Sequence, residues 1–326
     1  MALSVIPCAN PSARPSQKHA QEAAGKRKPS AYASAVAITE PLFILAPMRS
    51  YSTVAAAMLG QHPQMYSTLE THLFSCDTMA QWWVVYRTKG IQPLAHGLLR
   101  AIAELIMGRQ SEATIALARL WVLRRLAWPT TEVFRVLARE VDPAILIDKS
   151  PTVVNRLEHL QRVHTTFPRA RFLHLTRHPL GFGRSFLKFF EEFGVKVTTD
   201  PQILWHRQHS NILKFLATIS PDQYLRVRGE DLLANPNQYL AEISDWLGVR
   251  SDPAAIDRMM HPERSPFASL GPANALFGGD PHFFRNPRLH RLKAEAPKLD
   301  GPLPWRGDGA GFTPAVRDLA RRFGYV

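Results

Sequence analysis

FILAPMRSYSTVAAAMLGQHP, from Phe43 to Pro63, decides the fold. An apolar run ends in Pro47, a short polar loop follows, and the pattern then turns helical until Pro63. This is the order of a buried strand, a tight loop and a helix. The first backbone N–H groups of such a helix have no intrahelical partner and carry partial positive charge, so they suit an anion. Arg49 adds a fixed charge to the loop, and Ser52 and Thr53 add hydroxyl donors. Plain N-capping by these hydroxyls is the competing explanation. Glycine, the usual residue of a phosphate-binding loop, is absent from the loop itself.

Further along, apolar strands alternate with helical patterns. AILIDK (Ala144 to Lys149), ARFLHLTR (Ala170 to Arg177) and a segment of QYLRVRGEDL read as strands. Between and after them, TVVNRLEHLQRVHTTF, LGFGRSFLKFF, PQILWHRQHSNILKFLATI and NPNQYLAEISDWLG read as helices, the last with Asn235 as its cap and Gly248 past its end. Such alternation predicts an α/β fold with a mainly parallel central sheet between helices, and ligands beyond the carboxyl ends of its strands. Residues 78–141 are helical throughout and rich in Leu and Ile, and they are read as a helical insertion. Its apolar stripes either pack on the core or cover an apolar substrate.

The chain has 326 residues, 45% of them hydrophobic, which suits a folded domain. Its formal charge of +13 favours anionic partners without choosing among them. Neither zinc-finger spacing nor a basic region followed by heptads is present, so no specific nucleic-acid partner is expected. No apolar run reaches the roughly 18–20 residues of a membrane span. Residues 1–39 are basic and rich in Ala, Ser and Pro, with Glu22 the only acid, and read as a disordered tail; a transit peptide has a similar composition. The folded domain is expected over 40–326. Two cysteines, Cys8 and Cys76, with Cys8 in the tail, argue against a structural disulfide and for a reducing, cytoplasmic setting.

Three polar sets fall where predicted strands end. The first is Arg49-Ser50-Tyr51-Ser52-Thr53. The second is Asp148-Lys149-Ser150-Pro151, where Lys149 needs a partner or a ligand. The third is Arg177-His178-Pro179 with Ser185, an Arg and a Ser that can converge on a phosphate. The Walker A pattern and the Rossmann glycine fingerprint are both absent.

In their order, these motifs resemble the sulfotransferases that use 3′-phosphoadenosine 5′-phosphosulfate (PAPS). MRSYST is similar to that family's 5′-phosphosulfate loop, RHPLGFGRS to its 3′-phosphate segment, and DKSP and RGEDLLANPNQYLAEISDWLGV to two further stretches, over about residues 42–250. GQHPQMYSTLETHLF, GGDPHFF and the terminal LARRFGYV resemble bacterial sulfotransferases of polyketide assembly lines, which act on a hydroxyl of a carrier-bound acyl chain.

The resemblance implies a P-loop-like three-layer fold with the helical insertion near the acceptor site. It implies PAPS as cofactor, 3′,5′-ADP as product and no metal. The acceptor would be a hydroxyl on a carrier-bound chain, a lipid or another small molecule. It implies roles as well. Arg49, Ser50, Tyr51, Ser52 and Thr53 would hold the 5′-phosphosulfate; Arg177 and Ser185 would hold the 3′-phosphate, with Arg228 near them. Lys149 would neutralise the leaving group. Glu70 would be the general base, followed by His72 and His282 as candidates; a structural ion pair between Glu70 and Arg49 is the alternative. Tyr51 and Met48 depart from the family's Gly and Pro. A positive φ at Tyr51 would cost roughly 1–3 kcal/mol, and a weakened PAPS-binding protein without transfer is the second expectation.

Overall fold

The computed structural model describes residues 38–88, 90–292 and 298–326. The tail expected over 1–39 therefore lies outside the described residues, except for Ile38 and Thr39. These two already belong to the fold: Ile38 packs on the core, and Thr39 bonds Asp142 through its backbone N–H and its hydroxyl. Cys8 also lies outside the described residues, and Cys76 is a buried free thiol.

Five parallel strands form the centre: β1 (Leu42–Leu45), β2 (Met65–Ser67), β3 (Ile145–Asp148), β4 (Arg171–Thr176) and β5 (Tyr224–Arg228), in the order β2-β3-β1-β4-β5. Four of the five are the expected strands. The exception, β2, is three residues long, too short to register as a pattern.

The helices in chain order are α1 (Ser52–Leu59), α2 (Met79–Tyr86), α3 (His96–Met107), α4 (Glu112–Leu123), α5 (Thr130–Val141), α6 (Leu157–Thr166) and α7 (Pro179–Glu192). They continue with α8 (Pro201–Leu216), α9 (Gly229–Ala234), α10 (Pro236–Leu247), α11 (Pro253–Met259), α12 (Pro281–Arg285) and α13 (Pro314–Arg322). The helix expected over 152–167 is broken. A 3-10 turn occupies Pro151–Asn155, and Arg156 is extended before α6 begins. The α10 boundaries are as expected, with Gly248 left-handed at its end, although Asn235 makes no side-chain cap.

The central strands β1 and β3 read as nearly unbroken apolar runs because both faces of the sheet are covered there, whereas the edge strand β5 is half-buried and carries Arg226 and Arg228. Side chains alternate between the faces. Phe43 and Leu45 join one core with Phe74, Phe134, Phe167 and Phe172, beneath α3, α5, α6 and α8. Leu42 and Ile44 join the other with Leu173, Leu175 and Ile243, beneath α1 and α10. Phe43 lies 5.4 Å from Phe134 and 6.0 Å from Phe172, both stacked. Burying a side chain of this size contributes about 1.5–3 kcal/mol. The result is the expected three-layer α/β fold.

The helices α2 to α5 occupy the stretch read as an insertion. Their stripes serve the core: Trp82, Leu98, Ile102, Ile115, Val122 and Leu137 are fully buried there. Only the segment after α2 reaches the ligand side, where Ile91, Pro93 and Leu94 line a cavity.

The chain leaves β1 to build β2 and β3 on one side and then returns to place β4 on the other. A crevice opens at the carboxyl ends where this reversal occurs, between β1 and β4.

Candidate active site

A cavity of about 750 Å³ lies beyond those strand ends. The loop after β1 forms its floor. Arg49 and Tyr51 both have φ 63°, left-handed and rare for side-chain-bearing residues, with Ser50 buried between them. Each costs about 1–3 kcal/mol, so the rest of the fold must hold them there. Tyr51 is held by packing. Arg177 lies 4.2 Å over its ring, and the opposite contact is Gly229, where an added Cβ would meet the ring at 2.5 Å. The glycine missing from the loop is thus replaced by a glycine beneath the tyrosine. Tyr51 precedes α1 and no side chain caps that helix, so the capping explanation for Ser52 and Thr53 does not hold. The first-turn N–H groups remain available on the cavity side, where Ser52, Thr53 and Val54 line the wall.

Lys149 follows β3 and is 2% exposed. Its ammonium donates to Thr53 Oγ1 at 2.7 Å and forms a short ion pair with Glu70 Oε1. Asp148 is not its partner. That carboxylate accepts from Thr71 Oγ1 at 2.8 Å and from the Ser150 hydroxyl at 3.0 Å. Burial raises Asp148, with the Ser150 N–H and these hydroxyls opposing it.

Glu70 sits three residues past β2. Its N–H donates to the Gly278 carbonyl at 2.9 Å. Helix α3 presses on its carbonyl at Gly97, where a Cβ would lie 2.0 Å from the oxygen; only glycine fits. Burial would raise the Glu70 carboxyl. The Lys149 ammonium, then His72, outweighs burial and holds it at about 2, against an ordinary 4.5. His72 is fully buried, with Nε2 3.5 Å from Glu70 Oε2, Nδ1 2.9 Å from Thr152 Oγ1 and its ring stacked on Tyr86. At 3.5 Å the contact with Glu70 is electrostatic rather than a hydrogen bond. The alternative of a Glu70–Arg49 pair is therefore not what forms.

Arg49 instead pairs with Asp280 at 2.6 Å, donates to Ser185 Oγ at 3.1 Å and lies 5.0 Å over Phe189. Arg177 donates to the Arg49 carbonyl, while its Nε is buried with no hydrogen-bond partner. Burial lowers its pKa. Arg49, Arg177 and Ser185 thus converge on the cavity wall, which Glu70, held by the buried Lys149, also lines.

Three expected residues are placed elsewhere. Arg228 does not line the cavity. It holds Asp231 at 2.5 Å and the Gly324 carbonyl at 2.6 Å, clamping the C-terminal end beside Tyr325. His282 pairs with Glu192 at 3.0 Å, outside the cavity lining. Ser50 is buried behind the loop, its hydroxyl unbonded among the described residues. From GGDPHFF, Gly278, Gly279, Asp280, Pro281 and Phe283 line the cavity, and the charged one, Asp280, is a residue the sequence did not single out. The terminal Tyr325 also matters: its hydroxyl donates to Glu230 at 3.0 Å, and Glu230 accepts from the His178 N–H at 2.9 Å, bracing the turn after β4.

A sulfotransferase family profile matches residues 41–253. The chain belongs to the sulfotransferase family. Two solved structures are similar along nearly their whole length. The sulfotransferase domain from the curacin biosynthetic pathway is 24% identical, with a TM-score of 0.70 over 89% of this chain and 99% of that one. The sulfotransferase domain of the Synechococcus PCC 7002 olefin synthase is 28% identical, with a TM-score of 0.65 over 88% and 96%. No curated protein matches the chain. Among the described residues of this sulfotransferase, no helix is long and apolar enough to cross a membrane. Nor do those residues contain a cluster of three or more His, Cys, Asp and Glu able to hold a metal.

Proposed function

We propose that this sulfotransferase takes its sulfuryl group from PAPS and passes it to a hydroxyl acceptor, with Glu70 as general base. The observation that carries this is the pairing of the buried Lys149 with Glu70, which lines a cavity that also presents Arg49, Arg177 and Ser185. The donor set fits a ligand with two anionic ends. The buried Arg177 Nε has no partner, and the start of α1 lacks a cap. Arg177 and Ser185 would hold the 3′-phosphate, and Arg49, Ser52, Thr53 and the α1 N-terminus the 5′-phosphosulfate. PAPS, when bound, supplies an activated sulfuryl group.

The chain's own residues do the rest. Arg49 and Lys149 place two cations around the centre of transfer, where charge stabilisation lowers the barrier. Lys149 also controls the base. While paired, it keeps Glu70 too weak to take a proton from an alcohol readily. An anion that draws the ammonium away returns Glu70 to the raising effect of burial and makes it a stronger base. The apolar walls keep water from competing with the acceptor hydroxyl. Relatives named for biosynthetic domains support a hydroxyacyl compound, carrier-bound or free, as acceptor.

Incubation with PAPS and a panel of hydroxyl compounds tests this by release of 3′,5′-ADP. Glu70→Gln should lose release by two to four orders of magnitude, the usual contribution of a general base, while still binding 3′,5′-ADP. A protein that only binds the nucleotide would release none in either form. Full turnover in the variant would remove Glu70 from its role.

A further inference from the structure

The cavity carries one charge that sulfuryl transfer does not use. Five charged residues line it: Arg49, Glu70, Arg177, Arg207 and Asp280. Arg49 and Asp280 hold each other, Glu70 holds Lys149, and Arg177 holds the Arg49 carbonyl. Arg207 makes no ion pair among the described residues, and its Nε is buried without a hydrogen-bond partner. That buried Nε–H, turned from water beside apolar walls, gains nothing in return unless an anion comes to it.

Its surroundings define that anion. Ile203, Leu204 and Arg207 lie on one face of α8, opposite Phe189, Phe190 and Phe193 at the end of α7. Beside them Gln208 donates to Asn155 Oδ1 at 2.6 Å, which fixes that carboxamide and leaves its Nδ2 as a donor. The hydroxyls of Thr198 and Thr199 line the same wall. One guanidinium among neutral donors balances a single negative charge, and its planar fork matches a carboxylate. A phosphate monoester, at nearly two charges, would remain half uncompensated.

We propose that Arg207 binds the ionised carboxylate of an amphiphilic hydroxy acid, whose hydrocarbon body lies against the α7 phenylalanines and whose hydroxyl reaches Glu70. This deepens the sulfotransferase reading and rests on it for the position of the hydroxyl. The substrate class is then a free hydroxy acid, rather than a neutral alcohol or a thioester.

Calorimetric titration of the full chain with decanoate, and separately with its neutral isostere decanamide, tests this at low salt, with and without saturating 3′,5′-ADP. Decanoate should bind at least tenfold more tightly than decanamide. Arg207→Gln should abolish that preference by weakening decanoate alone, with the melting temperature and the 3′,5′-ADP affinity unchanged. Equal binding of the two probes, binding of neither, or tighter binding of the amide would overturn the proposal, the last pointing to a thioester-like acceptor. A drop in 3′,5′-ADP affinity in Arg207→Gln would overturn it too, by moving Arg207 into the nucleotide site. Failure of the sulfotransferase reading is separate: it shows as absent 3′,5′-ADP binding, which the decanoate titration without nucleotide does not depend on.

Discussion

Replacing Lys149 with Met separates the ion pair from everything around it. Glu70 is held at about 2 against an ordinary 4.5. That gap corresponds to about 3 kcal/mol of stability. Because the folded value lies below the unfolded one, this stability is present above pH 4.5 and is lost as pH falls through 2. In Lys149→Met the burial of Glu70 is no longer outweighed by the ammonium, and the carboxyl moves above its ordinary value. The variant then loses stability as pH rises above 4.5, the opposite slope. Breaking a buried pair in this way costs about 3–5 kcal/mol near neutrality. Urea denaturation of both proteins from pH 4 to pH 7.5 reads the effect directly, and the gap between them should widen with pH. In a Glu70→Gln background the same substitution should cost nothing or even stabilise, since it removes a buried cation that has lost its anion. A cost independent of pH, or one that persists in the Gln background, would refute the control of Glu70 by Lys149.

Other consequences follow from single contacts. Gly229→Ala places a Cβ 2.5 Å from the Tyr51 ring, so it should cost about 1–3 kcal/mol and weaken 3′,5′-ADP binding; adding Tyr51→Gly should restore stability, and an additive loss would mean that the ring is not the obstacle. Burial lowers His174 well below its ordinary 6.5 and His209 to about 3, with His174 Nε2 and His209 Nδ1 2.9 Å apart. The unfolded rings bind protons first, so stability is full above pH 6.5 and falls as pH drops toward 3. At pH 5 the loss is about 2 kcal/mol for His209, with His174 adding in the same direction; chemical denaturation of His209→Leu should show a flatter decline, and an unchanged slope would count against the rings. Phe43→Ala should cost about 3–5 kcal/mol, because four other phenylalanines pack around it, and a loss below 1 kcal/mol by urea denaturation would show that the core collapses around the gap.

The sheet was legible because burial on both faces writes the central strands β1 and β3 as apolar runs, while β4 and the half-buried edge strand β5 were read from mixed runs set between helical patterns. β2 has only Met65, Tyr66 and Ser67, and its pairing depends on β3, which lies far away in sequence. The polar sets could be read for a similar reason: in a parallel sheet the loops at the strands' carboxyl ends face the ligand, which located Lys149 and Arg177 directly after β3 and β4 and Arg49 in the loop after β1. Pairing was not legible. Nothing near Arg49 indicates Asp280, which arrives from 231 positions later and takes the place imagined for Glu70. His282 lies two residues from Asp280, yet one short helical turn aims it at Glu192 instead of the cavity. Arg228 does end a strand, but Asp231 and the Gly324 carbonyl take up its donors before they can reach a ligand. The conformation of Tyr51 was an open alternative that only the backbone could settle.

Calorimetric titration with 3′,5′-ADP, with AMP as the control lacking the 3′-phosphate, tests the central claim most directly. Arg177 and Ser185 predict tight binding of 3′,5′-ADP and at least tenfold weaker binding of AMP. Equal affinities, or no binding of either nucleotide, would contradict the assignment of this cavity to PAPS.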